Sequence, residues 1–267
     1  MMTITKAGDV LDISSLMTPP AIYLDHWALR CLSTDSLRHD RFLGAFRKSK
    51  GTLLFSWANV VEVSSNTGAS ADNIQHFLTE VGEQWFPLEI NPIKVIEREY
   101  TTGNNSPCFA AGFLEAYCQC IHDGPLTLST IVNLTQDDRI NRACRENLEK
   151  LKREIGQLFE QWRSEQEFNI ETFHRDPLAD CSRPTEFVFN GLRRLIQKEK
   201  FKIDPNDPLD FLHTTASLAY GNLVLLDKHW ADLAQKLKMP SDRVRVYSSK
   251  QLDRFLEDLK HVRTEPA

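Results

Sequence analysis

Two aspartates of the chain, Asp25 and Asp227, each follow a short apolar run. Asp25 ends the apolar run Ala21-Ile22-Tyr23-Leu24, and Asp227 ends the run Leu223-Val224-Leu225-Leu226. Both runs are typical of buried parallel strands, and residues that follow such strands point into the crevice at the carboxyl edge of the sheet. Each aspartate also has a structural alternative, because an Asp after a strand is commonly the N-cap of the next helix.

Three further acids belong to the same predicted crevice. Asp207 and Asp210 lie three positions apart at the start of a predicted helix and therefore share one of its faces. Glu62 lies just inside the helix that follows the predicted strand Leu53 to Phe55. Its neighbours are valines, and a carboxylate in such a run rarely lies without a partner. For Asp207, capping of the helix before Pro208 is the structural alternative.

Crowded carboxylates predict a bound cation. They repel one another and raise each other's pKa, so such a site is costly unless a cation neutralises it. Oxygen ligands favour Mg²⁺ or Mn²⁺ over zinc. Such an ion lowers the pKa of a bound water and stabilises the charge that develops on a phosphoryl group. The five acids therefore predict metal-dependent hydrolysis of a phosphodiester.

Several cationic or imidazole side chains are candidates for binding the substrate. Lys228 directly follows the last acid, and His213 lies one turn after Asp210 on the same helix face, where it contacts either substrate or a carboxylate. A later basic cluster includes Arg193 and Arg194 and is able to follow an RNA backbone. A solvated helix face is the structural alternative for that cluster.

The elements that position these residues alternate between strands and helices, which predicts an α/β fold with a mostly parallel sheet. Further strands are predicted at 52–56 and 244–247. Helical spacing of apolar residues predicts helices over the ranges 36–47, 70–85, 135–168, 184–200 and 209–220.

Composition excludes several classes of protein. The chain has 267 residues, of which 41% are hydrophobic and 26% charged, with a formal net charge of −5. The 15 Phe and five Trp, with only 11 Gly and 12 Pro, exclude a disordered or fibrous protein. The mildly acidic balance argues against a protein that coats nucleic acid by bulk charge, but not against an enzyme that acts on nucleic acid through local basic patches. The six cysteines are scattered, no apolar leader opens the chain, and no run approaches the roughly 20 apolar residues of a membrane span. We therefore expect a cytoplasmic protein with free thiols and no membrane association.

The chain resembles the PIN-like domain nucleases. The resemblance rests on Ile22-Tyr23-Leu24-Asp25, on Asn59-Val60-Val61-Glu62, and on Asn206-Asp207-Pro208-Leu209-Asp210-Phe211-Leu212-His213 leading to Leu225-Leu226-Asp227-Lys228. In that family, acids at such places bind Mg²⁺ or Mn²⁺ and cleave single-stranded RNA. The resemblance implies an endoribonuclease in which Asp25, Glu62, Asp210 and Asp227 are catalytic metal ligands, with Asp207 as a supporting acid at the metal.

The resemblance also implies an architecture and partners. It implies a three-layer α/β/α fold in one PIN-like domain, with a core at about 20–100 and 203–262 and an all-helical insertion at about 105–202. Many members are bacterial toxins or defence effectors, so an inhibitor or antitoxin protein is an expected partner besides the RNA substrate, and a homo-oligomer stays open. The chain has His26 and Trp27 after the first acid, where members often have a small polar residue and then Asn. The alternative is therefore a catalytically weakened PIN-like scaffold or binding module that acts through a protein partner.

Overall fold

A computed structural model of the chain describes residues 2–7, 10–110, 127–165, 183–198, 203–240 and 242–262. Within these ranges the strands are β1 (Met2–Ala7), β2 (Val10–Ser15), β3 (Ala21–Leu24), β4 (Thr52–Ser56), β5 (Trp85–Leu88), β6 (Leu223–Leu225) and β7 (Arg245–Tyr247). The α-helices are α1 (His26–Thr34), α2 (Ser36–Ser49), α3 (Trp57–Ser64), α4 (Ala69–Val81), α5 (Pro92–Thr102), α6 (Leu128–Leu134), α7 (Asp138–Ser164), α8 (Pro184–Lys198), α9 (Asp207–Tyr220), α10 (Lys228–Lys236) and α11 (Leu252–His261). A short 3₁₀ helix spans Ser249–Gln251.

Five strands form one parallel sheet in the order β5-β4-β3-β6-β7. The predicted α/β fold with a mostly parallel sheet is thus confirmed. β1 and β2 form a separate antiparallel hairpin, in which Met2 pairs with Ser15 and Ala7 with Val10. The apolar patterns of the sequence do not predict this hairpin.

Helices cover both faces of the parallel sheet. Alternate residues of β3 point to opposite faces, as the two-residue period of a strand requires. Ile22 and Leu24 lie in one hydrophobic core with side chains of α1, α2, α4, α6 and α11. Ala21 and Tyr23 lie in a second core with side chains of α5, α7, α8, α9 and α10. The result is a three-layer α/β/α architecture.

The segment predicted as an all-helical insertion contains α6, α7 and α8 in its described parts. The apolar face of α7 is buried in the second core, where the Phe159 ring lies 5.3 Å from the ring of Phe211 in α9. Trp162 lies 5.7 Å from the same ring. These helices therefore form part of the layer that covers the sheet, and their status as an insertion in a PIN-like domain stays a prediction.

The predicted helix over 70–85 is wrong at its C-terminal end. α4 ends at Val81, because Gly82 takes a positive φ of 66° that a helix does not allow. Trp85 begins β5, and the strand pairs with β4. β5 contains Pro87 and lies at the edge of the sheet, where the missing N–H of proline is tolerated.

Among the helices that the structure describes, none combines the length and the apolar character needed to cross a bilayer.

Candidate active site

The carboxyl edge of the sheet brings together four acids, called here the acid cluster (Asp25, Glu62, Asp210 and Asp227). From β3 the chain builds β4 and β5 on one side of the sheet and later adds β6 and β7 on the other side. The crevice at such a reversal of strand order is the usual ligand site of open α/β sheets. Two members of the cluster follow β3 and β6, one lies in α3 beyond β4, and one lies in the first turn of α9.

Asp25 and Asp227 are neighbours because their strands are paired. Leu24 of β3 pairs with Leu225 of β6, and the backbone N–H of Asp25 donates to the carbonyl of Leu225 at 3.0 Å. Both aspartates are also N-caps, as their structural alternative predicts. Oδ1 of Asp25 accepts the N–H of His26 at 2.7 Å, and Oδ1 of Asp227 accepts the N–H of Trp230 at 3.0 Å. Each capping bond uses one oxygen of its carboxylate.

The pKa values of Asp25 and Asp210 reflect the proximity of the acids. Burial, together with the negative charges of Glu62 and Asp227, raises the pKa of Asp25 to about 6, although His213 acts in the opposite direction. Burial and the charges of Asp25, Asp227 and Glu62 raise the pKa of Asp210 to about 8. Carboxylates with such values are destabilised in their charged form by burial and by one another.

Glu62 has the opposite shift. Burial raises its pKa, but the positive potential of His213, His26 and Lys152 outweighs burial and leaves the pKa of Glu62 below its usual value. Nε2 of His213 lies 3.3 Å from Oε2 of Glu62. This is an ion-pair distance, but the two atoms lack hydrogen-bond geometry, so both count as buried polar atoms without a hydrogen-bond partner. Glu62 is therefore charged, with one buried oxygen not satisfied by a hydrogen bond.

His213 is held in place by a chain of buried polar groups. Its Nδ1 forms a short hydrogen bond with the hydroxyl of Tyr23, and Nδ2 of Asn59 donates to that hydroxyl at 3.3 Å. Asn59 is fixed in turn by the capping box of α3, in which the N–H of Ser56 donates to Oδ1 of Asn59 at 2.9 Å. Burial, which alone lowers the pKa of His213, is outweighed by the surrounding acids, so that pKa is raised.

Helix α7 brings a lysine to the same region. α7 contacts the C-terminal end of α3, where the Arg145 guanidinium donates to the hydroxyl of Ser65 at 3.0 Å. Two turns further along α7, Lys152 contributes to the positive potential at Glu62 and forms an ion pair of 3.1 Å with Glu149. Its side chain is 19% exposed.

Asp207 is oriented differently from the acid cluster. It is buried at the start of α9, and its Oδ2 accepts the N–H of Asp204 at 2.6 Å. The carboxylate therefore closes the turn before α9. This role is similar to the structural alternative, in which Asp207 caps the helix. Its predicted role at the metal stays a prediction.

The predicted substrate-binding cations lie in different surroundings. Arg193 of α8 forms an ion pair with Glu165 at 2.6 Å, and its guanidinium carbon lies 5.6 Å from the centre of the Trp162 ring. Burial and the neighbouring guanidinium lower the pKa of Arg194. Lys228 is exposed and begins α10 directly after the acid cluster's last member. Lys228 is therefore the candidate that the fold places beside the cluster, whereas Arg193 has a partner, Glu165, directly after the end of α7.

The acid cluster fits a divalent cation by three observations. In the described part of the chain, no Lys or Arg forms an ion pair with any of its four members. Glu62 has a buried oxygen without a hydrogen-bond partner. The donor set is oxygen only, which suits Mg²⁺ or Mn²⁺. Among the described residues, no three of the four carboxylates bring ligating oxygens within 4.8 Å of one another.

The chain matches no protein-family model, no curated protein and no solved structure. The functional assignment therefore rests on the residues of this chain and on the resemblance given above.

Sequence reasoning missed three residues of the site. Tyr23 lies in a run that is otherwise apolar, so the sequence predicts a buried strand residue and not a polar role for its hydroxyl. Asn59 belongs to the run that ends in Glu62 and follows Ser56 by three positions, a spacing typical of a capping box that the sequence does show. Lys152 is one of many charges on α7, and only the packing of α7 against α3 distinguishes it.

Proposed function

We propose that the protein is a metal-dependent endoribonuclease of the PIN-like type, which hydrolyses phosphodiester bonds of single-stranded RNA. The observation that carries the proposal is the convergence of the acid cluster at the reversal of strand order. Two of its members have raised pKa values, and none has a Lys or Arg ion pair among the described residues. The choice of RNA as substrate follows from the resemblance.

The acid cluster is the set of residues that would hold Mg²⁺ or Mn²⁺. A divalent ion bound there supplies an activated water and neutralises the negative charge that develops on the phosphoryl group. The protein's own groups fix this arrangement. Oδ1 of Asp25 and Oδ1 of Asp227 each cap a helix, which orients the second oxygen of each carboxylate. His213 orients Glu62, and the buried hydroxyl of Tyr23 fixes the His213 ring.

Contacts to the RNA backbone come from the cations beside the acid cluster. Lys152 and Lys228 are the two whose positions favour this role, since one acts on Glu62 and the other follows Asp227. Because single-stranded nucleic acid is held largely by its phosphates, neutralising either lysine should weaken RNA binding and reduce its salt dependence.

A binding module is the second candidate. Both Asp25 and Asp227 serve as N-caps, so each has a structural reason to be present. In that case the protein acts through a protein partner and has no metal-dependent cleavage. An inhibitor protein and a homo-oligomer belong to either candidate and stay predictions.

Cleavage of a labelled pool of single-stranded RNA separates the two candidates. We expect cleavage with Mg²⁺ or Mn²⁺, none with EDTA, and none by Asp25→Asn or Asp210→Asn. Asparagine keeps the capping ability of aspartate, so Asp25→Asn should fold. Asp232→Asn is the matched control, since Asp232 is an exposed acid on α10, and it should cleave like the wild type. Cleavage that survives in both cluster variants, or absence of cleavage by folded wild type with either metal, would overturn the proposal.

A further inference from the structure

Two histidines and a glutamate form a second cluster, on the opposite side of the sheet from α7. His39 comes from α2, and His76 and Glu80 lie one turn apart on α4. Their ligating atoms all lie within 4.8 Å of one another, and the described part of the chain has no other such group of three. Oε2 of Glu80 lies 2.6 Å from Nε2 of His39 and 3.4 Å from Nε2 of His76. One carboxylate oxygen is thus shared by two imidazoles from different helices.

We propose that this cluster is a binding site for Zn²⁺ or a similar transition-metal ion that joins α2 to α4. Two imidazole nitrogens and one carboxylate oxygen are a known ligand set of protein zinc sites. In such sites the three protein ligands leave the fourth position to a water molecule. Mg²⁺ prefers oxygen, so the cluster and the acid cluster favour different metals. In a tetrahedral zinc site with bonds of about 2.05 Å, ligand atoms lie about 3.3 Å apart. The contact between His76 and Glu80, at 3.4 Å, already has this spacing, and the 2.6 Å contact between His39 and Glu80 needs to lengthen by about 0.7 Å.

The surroundings of the cluster position it for a metal. The His39 ring packs edge-on against Phe77, with 5.5 Å between the ring centres, which limits its rotation. The Arg47 guanidinium donates to the other oxygen, Oε1, of Glu80 at 3.2 Å and to its carbonyl at 3.1 Å. Such outer contacts orient a ligating carboxylate and leave its second oxygen for the ion.

The site is accessible from solvent. The side chain of His76 is 72% exposed and that of Glu80 is 29% exposed, whereas that of His39 is 11% exposed. An ion can therefore enter past His76, and a substitution there should leave the fold unchanged. The bare His39–Glu80 pair is the competing interpretation, because an ion pair alone also joins the two helices.

Titration with Zn²⁺ and Co²⁺ in excess Mg²⁺ tests the proposal. We expect the full-length protein to bind one equivalent, to show a rise in Tm that saturates at that ratio, and to give the visible absorption of tetrahedral Co²⁺. His76→Gln should lose both the Tm rise and the absorption while keeping the metal-free Tm. His261→Gln is the matched control, because His261 and Glu257 form an exposed pair one helical turn apart, at 3.6 Å, on α11.

Asp210→Asn separates this site from the acid cluster. The variant should keep the response to Zn²⁺ and Co²⁺ and should lose the response to Mg²⁺. The proposal is overturned if wild type binds neither Zn²⁺ nor Co²⁺, or if His76→Gln responds as wild type does. It is also overturned if the response to Zn²⁺ disappears in Asp210→Asn but not in His76→Gln, since the ion would then occupy the acid cluster.

Discussion

Asp210 is the member of the acid cluster whose charged form the fold destabilises most. It lies in the first turn of α9, where a helix N-terminus favours a negative charge, and yet its pKa is raised to about 8. Burial and three neighbouring carboxylates therefore outweigh the helix dipole. Without a cation, part of the stability of the folded chain depends on keeping this side chain protonated.

This dependence gives a pH prediction for the metal-free protein. A group whose pKa is higher in the folded chain than in the unfolded chain stabilises the fold at low pH, and that contribution is lost as the pH rises through the folded value. For Asp210 the loss extends from about pH 4 to about pH 8, and Asp25 adds to it up to about pH 6. In EDTA, the Tm of wild type should therefore fall relative to that of Asp210→Asn between pH 5 and pH 8. Parallel Tm curves for the two proteins would contradict the coupling of the acids.

Tyr23→Phe removes one oxygen from the buried chain that holds His213. The substitution leaves Nδ1 of His213 and Nδ2 of Asn59 without their partner in a fully buried place. Loss of a partner for a buried polar group costs about 1–3 kcal/mol, which urea unfolding should detect. RNA cleavage should fall as well, since the orientation of Glu62 depends on His213. Tyr247→Phe is the control, because the Tyr247 hydroxyl donates to Asp258, whose side chain is 28% exposed, and Tyr247 packs in the other core from Tyr23.

At the scale of elements, α7 links the second helical layer to the candidate site. Its apolar face packs into the core with α9, while its other contacts reach the end of α3 that carries Glu62. The charged side of α7, which the sequence predicts, therefore brings charged side chains close to the acid cluster. Among these side chains, Lys152 is the one whose positive charge helps to lower the pKa of Glu62.

Lys152→Ala should weaken RNA binding without unfolding the protein. Loss of one phosphate contact lowers the affinity and reduces the slope of log affinity against log salt by about 1. Lys150→Ala is the matched control on the same helix, since Lys150 is exposed and pairs weakly with Glu154 at 4.0 Å. Fluorescence anisotropy with an uncut RNA analogue measures both. Equal salt slopes for the two variants would show that Lys152 does not contact the RNA backbone.

Local patterns were sufficient to predict β3, β6 and their aspartates, because each strand is a continuous apolar run that ends in an acid. β5 was not predictable in this way. Trp85 continues the apolar spacing of α4, and only the positive φ of Gly82 and the pairing with β4 separate strand from helix. The orientation of Asp207 was not predictable either. Its spacing from Asp210 fits one helix face, but its carboxylate accepts the backbone N–H of Asp204, which precedes the helix. Long-range contacts decide such cases, and they leave no short pattern in the sequence.

At the scale of the whole molecule, the metal site proposed at the acid cluster would couple metal binding to folding. The four acids come from separate parts of the chain and meet only in the folded state, so an ion that binds them stabilises that state alone. At a concentration of Mg²⁺ 100 times its dissociation constant, the gain is about 2.7 kcal/mol. A thermal melt of wild type should show this as a rise in Tm with Mg²⁺, and Asp25→Asn should show much less. A binding module without a metal site would show no rise in either protein.

The pairing of β3 with β6 also sets the order of events during synthesis. The N–H of Ala21 donates to Oδ1 of Asn222 at 2.8 Å, and the two residues are 201 positions apart in the chain. A ribosome makes β3 early and β6 late, so the central pairing of the sheet forms only after the whole intervening chain has been made. Such distant pairing forms slowly, since the long loop must close before its contacts stabilise it. The acid cluster is therefore incomplete until the chain has been made past Asp227, so the RNA cleavage proposed for it would be absent from shorter nascent chains.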